Sequence, residues 1–173
     1  MKKLILSLLV AAFVGGNTLS AQTITKNEDG KYSLSVGHVT LTVDAQKGGK
    51  IVSYRYDDKE ILSQTKIPNS FGSTFWTSPQ SEWNWPPVPE YDTKPFNAEV
   101  AGDKLILTGE KSKRFGYRVR KELTTDKKDN AIVITYTIIN ESGETRKVAP
   151  WEISRVPNGG ILFFDAKEVT PAN

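Results

Sequence analysis

Residues 71–96 hold the side chains best suited to chemistry. Trp76-Thr77-Ser78-Pro79-Gln80-Ser81-Glu82-Trp83-Asn84-Trp85-Pro86-Pro87 leads into Val88-Pro89-Glu90-Tyr91-Asp92. Three of the four tryptophans, Trp76, Trp83 and Trp85, fall within ten residues, with Gln80, Ser81, Glu82 and Asn84 between them. Pro79, Pro86, Pro87 and Pro89 exclude a continuous helix or a central strand, so the segment reads as a stiff loop. Flat indole faces beside amide and carboxylate groups suit a polar ligand with apolar C–H faces, such as a sugar. The competing use of the same rings is packing beneath a long loop. Covering about half of a ring worth ~200 Å² at ~25 cal/mol/Å² yields roughly 2–3 kcal/mol gross per face. Two such faces only just offset association costs, which predicts dissociation constants of about micromolar to millimolar.

A second segment, Ala149-Pro150-Trp151-Glu152-Ile153-Ser154-Arg155-Val156, carries the fourth tryptophan. In an extended chain Trp151, Ile153 and Arg155 share one face, and Glu152 and Ser154 share the other. Trp151 and Arg155 are then candidates to line a site, and Glu152 to accept hydrogen bonds from hydroxyls. Glu152 is also a weak candidate for a catalytic base; the plain alternative is a core tryptophan with a surface ion pair. The candidate ligand-binding set is Trp76, Gln80, Glu82, Trp83, Trp85, Trp151, Glu152 and Arg155.

Other chemistries find little support. No cysteine and a single histidine, His38, argue against zinc. Asp57, Asp58, Asp92 and Asp165 offer oxygen ligands, but no loop spacing selects them for calcium. There is no nucleophile elbow, phosphate loop or dinucleotide fingerprint. Glu82 and Glu152 as a glycosidase pair have little specificity. The expectation is no metal and no cofactor.

Lys2 and Lys3 precede an apolar run over residues 4–14, and Leu19-Ser20-Ala21 offers small residues before Gln22. That is the layout of a cleavable signal peptide over residues 1–21, too short to span a bilayer. The expected mature chain, residues 22–173, is a single periplasmic or secreted domain, not held in a membrane. Removing Lys2 and Lys3 leaves 21 bases against 20 acids, so the formal charge falls from +3 to +1. A near-neutral chain gives no electrostatic case for nucleic acid. Its one basic concentration, Lys111, Lys113, Arg114, Arg118, Arg120 and Lys121, sits among Glu110 and Glu122 and reads as a solvated strand face and turn.

The elements that must position these groups are strands. Val39, Leu41 and Val43 alternate with polar residues, as do Tyr117, Val119 and Leu123. Residues 132–139 are apolar or β-branched on both faces, which predicts a central strand covered on both sides. Turn chemistry at Asp29-Gly30, Gly48-Gly49, Asp57-Asp58, Gly102-Asp103, 126–130 and Asn158-Gly159-Gly160 punctuates the chain. No window shows a sustained helical period. The fold class is all-β, an antiparallel β-sandwich.

Two stretches resemble a known superfamily. Gly48-Gly49-Lys50-Ile51-Val52-Ser53-Tyr54-Arg55-Tyr56-Asp57-Asp58-Lys59-Glu60-Ile61-Leu62 is similar to the early hairpin of galactose mutarotase-like (aldose 1-epimerase-like) proteins. Residues 132–140, followed by Glu141-Ser142-Gly143-Glu144, resemble that superfamily's strand running into a polar corner. The tryptophan loop and residues 149–156 are similar to a secreted, uncharacterised bacterial branch of it. The resemblance covers about residues 30–164 and implies a large antiparallel sandwich with a carbohydrate ligand on its concave face. In the superfamily's enzymes a histidine is the general acid and a glutamate the general base. His38 lies too early to match that acid, so no catalytic role passes to it, and an exported carbohydrate-binding domain is preferred to an epimerase. A third class is an envelope domain whose aromatic loop meets another polypeptide. Mutarotase-like domains are longer than this chain, which is therefore expected to be an N-terminal part, with Ile161-Leu162-Phe163-Phe164 as a strand wanting a partner.

Overall fold

The computed structural model describes residues 24–65, 67 and 70–161. The expected leader, the apolar run at Leu162-Phe163-Phe164 and Asp165 lie outside the described residues. Alternating apolar residues become strands where turn residues permit reversal: β1 (Ile24–Lys26), β2 (Tyr32–Val36), β3 (Val39–Asp44), β4 (Lys50–Tyr56), β5 (Lys59–Glu60) and β6 (Ser73–Ser78). A 3-10 turn (Gln80–Glu82) and a single helical turn, α1 (Pro89–Asp92), then interrupt them. The chain continues through β7 (Asn97–Ala101), β8 (Lys104–Thr108), β9 (Tyr117–Asp126), β10 (Ala131–Asn140) and β11 (Ala149–Ser154).

These strands form two antiparallel sheets. One has the order β1-β2-β3-β4-β6-β11 with β5 appended to β4, and the other the order β10-β9-β8-β7. Leu34, Leu41, Val43 and Phe75 of the first sheet and Leu105, Leu107, Tyr117, Val119 and Leu123 of the second close one core between them. Phe75 bridges the layers by stacking on Tyr136, with ring centroids 4.6 Å apart. The protein is an all-β sandwich.

Several local expectations hold. The hairpin over residues 126–130 joins β9 to β10 from Asp126↔Ala131 onward, with the Asp126 carboxylate accepting the Lys128 N–H at 2.8 Å. β3 buries Val39, Leu41 and Val43. The strand over residues 132–139 differs: β10 is an edge, with Ile132, Ile134, Tyr136 and Ile138 half-buried on the core side and Val133 exposed. β-branched residues satisfy extended backbone at an edge without needing burial, so two-sided apolar patterning overstated the cover.

The basic cluster also divides. Arg118 pairs with Glu141 at 2.9 Å and Arg120 with Glu122 at 3.0 Å, while Lys121 points into the core. There its ammonium donates to the carbonyls of Gly48 and Gly49, at 2.8 and 2.9 Å, and lies over the rings of Phe96 and Tyr136. Strand alternation alone places Lys121 inward, between Val119 and Leu123.

Candidate functional site

Alternation along β6 and β11 sorts the candidates onto two faces. β11 pairs with β6 so that Trp151 lies opposite Trp76, Glu152 opposite Phe75 and Ser154 opposite Ser73. Phe75 points to the core; Trp76, on the other face, meets the loop that follows β6. The predicted face sharing within residues 151–155 is present. Arg155 lies over the Trp76 ring at 5.9 Å and donates to Thr74 Oγ1 at 3.3 Å, whereas Glu152 bonds with Ser73 and Ser154.

Trp76 is the hub of the outer face. Its ring meets Trp83, Trp85 and Trp151 edge-on at 5.6, 6.0 and 5.7 Å. Its indole N–H donates to Asp92 Oδ1 at 2.9 Å, and that of Trp83 to the Thr77 carbonyl at 2.9 Å. Trp76 and Trp83 are 8% and 3% exposed, so both pack rather than present a face; Trp85, at 70%, is displayed to solvent. Trp151 is half-buried against Trp76 and Trp83.

Beside Trp85 lies a hollow of about 250 Å³ bounded by Trp83, Trp85, Pro86, Pro87, Glu90 and Arg114. Gly48 fixes its support: the Gly48 N–H donates to the Lys94 carbonyl at 2.9 Å, and a Cβ there would stand 2.3 Å from the Asp92 carbonyl oxygen. The β3–β4 turn thus presses directly on α1, which carries Glu90 and Asp92. Glu90 is buried and paired with Lys94 at 3.0 Å; Lys94 also meets Glu110 at 3.2 Å. Those hydrogen bonds, Glu90 first, raise the lysine's pKa. Arg114 crosses from the β8–β9 loop to donate to the Glu82 carbonyl at 2.7 Å.

Glu82 is not simply offered to a ligand as the sequence suggested. One of its carboxylate oxygens is enclosed without a hydrogen-bond partner, as are the hydroxyls of Tyr91 and Tyr117. Burial pushes the Tyr91 phenol up to about 12, opposed by nearby Ser112 and reinforced by the charges of Glu90, Tyr117 and Glu82. The Tyr91 hydroxyl is close to Ser112 without meeting hydrogen-bond geometry, so burial dominates. Burial, then Glu82, raises Tyr117 as well. The short 3-10 turn places Glu82 over these phenols; Gln80 stays exposed, its amide near the Asn84 carbonyl at 3.4 Å.

Glu152 stands apart. It lines a separate, largely apolar hollow of about 340 Å³ between the sheets, with Leu41, Ile51, Ile134 and Tyr136. It cannot act on a ligand held by Trp85, because the sheet itself lies between them. The structure therefore brings Trp83 and Trp85 to one hollow, with Trp76, Trp151 and Arg155 as their packed support and Gln80 in the turn just before them. It separates Glu152 and turns Glu82 partly inward. Sequence reading missed Glu90 and Arg114. Glu90 follows a proline at a helix start, a readable signal; Arg114 reaches across thirty-two residues and left none.

His38 is exposed, hydrogen-bonded to Asp57 at 2.7 Å and stacked on Tyr56. Among the described residues no three histidine, aspartate or glutamate side chains gather as a metal site, and no helix is long and apolar enough to cross a membrane.

No protein-family model matches the sequence, and no curated protein matches it. Among solved structures, the chain is similar to a 4-alpha-glucanotransferase from Thermococcus litoralis, at 15% identity and a TM-score of 0.41. The match covers 66% of this chain and 23% of that one. So slight a likeness carries no argument about function.

Proposed function

We propose that this chain is an exported carbohydrate-binding domain of galactose mutarotase-like type, in which one sugar ring stacks on Trp85 above the proline-lined hollow. The observation that carries the reading is Trp85 itself: a large aromatic left 70% exposed while its neighbours Trp76 and Trp83 are packed away. Scattered exposed apolar residues need no explanation, but this ring adjoins a concavity with buried Glu90 and with Arg114 at its edge. Arg114 supplies hydrogen bonds to hydroxyls at the hollow, and Gln80, exposed in the preceding turn, to a neighbouring sugar unit; Pro86 and Pro87 hold the platform rigid, which reduces the ordering cost of binding.

One free face lowers the expected strength. With Trp76 and Trp83 unavailable, stacking supplies roughly 2–3 kcal/mol gross, worth only about ten millimolar alone, so hydrogen bonds must add to it to bring single-sugar affinity to about millimolar. Titrating mono- and oligosaccharides while following intrinsic fluorescence of the wild type and of Trp85→Ala tests this. A saturable change that the substitution removes supports the reading; no change at tens of millimolar sugar, about the weakest binding worth the name, refutes it.

A further inference from the structure

The hollow beside Trp85 has a neighbour. Lys111, Lys113, Arg114 and Arg146 surround a second concavity of about 440 Å³, with Ser112 and Ser142 on its wall. Arg114 lines both hollows. The basic residues come from two loops, residues 109–116 between β8 and β9 and residues 141–148 between β10 and β11.

Those loops are locked together. Gly116, at φ +71°, approaches so closely that a Cβ would meet the Ser142 Cα at 2.6 Å, and the Glu141 N–H donates to the Gly116 carbonyl at 2.8 Å. Asn140 braces the turn by donating to the Glu144 carbonyl at 2.8 Å and accepting from the Ser142 hydroxyl at 2.6 Å. The cations are thus held by a formed scaffold.

Two of the acids nearby are already engaged, while Glu82, with one enclosed carboxylate oxygen left unpartnered, is not. Glu141 is held by Arg118, and Glu144 by Arg146 at 3.0 Å. Lys111 and Lys113 make no ion pair among the described residues, although the Lys111 charge is felt by Glu141. Arg114 lies on the Phe115 ring at 4.8 Å and bonds the Glu82 carbonyl, making no ion pair of its own among the described residues. A patch in which cations without ion pairs outnumber the free acid therefore continues directly from the aromatic platform.

We propose that the ligand of this site is an acidic saccharide, one ring stacking on Trp85 while a carboxylate or sulfate of the same ring or its neighbour is held by Arg114, Lys111 and Lys113. This rests on the sugar-binding reading of Trp85 and adds the charge of the ligand to it. Guanidinium and ammonium groups recognise such anions by charge-assisted hydrogen bonds, and the pull weakens with added salt. A near-neutral chain that concentrates free cations beside one exposed indole has charge where a uronate or sulfated sugar would place its own.

Calorimetric titration of the full chain with tetragalacturonate, its methyl ester, a sulfated galacto-oligosaccharide and neutral galactotetraose, at low and high salt, tests the assignment. The acidic or sulfated oligomer should bind about tenfold more tightly than its neutral counterpart at low salt, the gap closing as salt rises. The double substitution Lys111→Gln, Lys113→Gln, which keeps Arg114, should narrow that gap severalfold with neutral binding little altered, and Trp85→Ala should weaken both. Which anion gains more separates carboxylate from sulfate recognition. Neutral and charged forms binding equally would overturn this inference and leave the stacking reading intact; binding of neither would overturn both. Tighter binding of oligothymidylate than of any acidic sugar would overturn it in favour of single-stranded nucleic acid.

Discussion

Lys121 sets a pH dependence that can be worked out in advance. Its side chain is fully enclosed, and burial pulls the ammonium down to about 7 from an ordinary value of 10.5, against the opposing pull of Glu152 and Asp92. Between those two values the unfolded chain carries the proton and the folded chain does not. Stability must then rise with pH through that window, and be insensitive to this group below it, where both states are protonated. At full effect the slope is about 1.4 kcal/mol per pH unit, and about 3.5 units give a ceiling near 5 kcal/mol. The carbonyls of Gly48 and Gly49 and two ring faces favour the charged form, so a few kcal/mol is the realistic size. Tyr91, Tyr117 and Tyr136, all raised by burial, act in the opposite sense above pH ~10, where the unfolded chain loses phenol protons that the folded chain keeps. Urea denaturation of the wild type and of Lys121→Met at half-unit steps from pH 6 to 9.5 isolates the lysine below that range. The wild type should gain stability relative to the variant as pH rises; parallel curves would refute the burial argument.

The remaining predictions concern the aromatic cluster, the turn that supports it and Glu152. Trp76→Ala should cost about 3–5 kcal/mol in denaturant unfolding, because it removes the hub of the cluster, whereas Trp85→Ala should change stability by less than about 0.5 kcal/mol. Gly48→Ala should destabilise by about 1–3 kcal/mol, since a Cβ at φ +63° meets the Asp92 carbonyl, and the loss should show in the same denaturation assay. Glu152→Gln should leave saccharide affinity within about twofold of wild type by calorimetry, because its carboxylate lies across the sheet; a tenfold loss would contradict that placement.

Much of the scaffold could be read from the chain, because strand alternation and turn residues are local signals. The β9–β10 hairpin follows from its Asp126-to-Asn130 turn, and the facing of Trp151 and Glu152 follows from the two-residue period. What escaped depends on distant partners. β10 became an edge because its neighbours, not its own residues, determine cover. Lys121 obeyed alternation, but its acceptors lie more than seventy residues away at Gly48 and Gly49. In the site, indole spacing predicted an aromatic cluster but could not tell the displayed ring from the packed ones. That difference arises from Asp92 and Thr77, which capture the indole N–H groups of Trp76 and Trp83. Arg114, which joins the aromatic and basic hollows, carries no sequence mark of its role.

The most direct test uses nitrogen-15 labelling of the indoles. Four side-chain N–H resonances should appear, assigned by single tryptophan substitutions, and adding an oligosaccharide series should shift the Trp85 signal first and most. The Trp76 and Trp83 signals, bonded to Asp92 and to the Thr77 carbonyl, should move little. Saturable movement confined to Trp85 is the predicted result; an unmoved Trp85 signal at tens of millimolar sugar, or movement centred on Trp76, would contradict it.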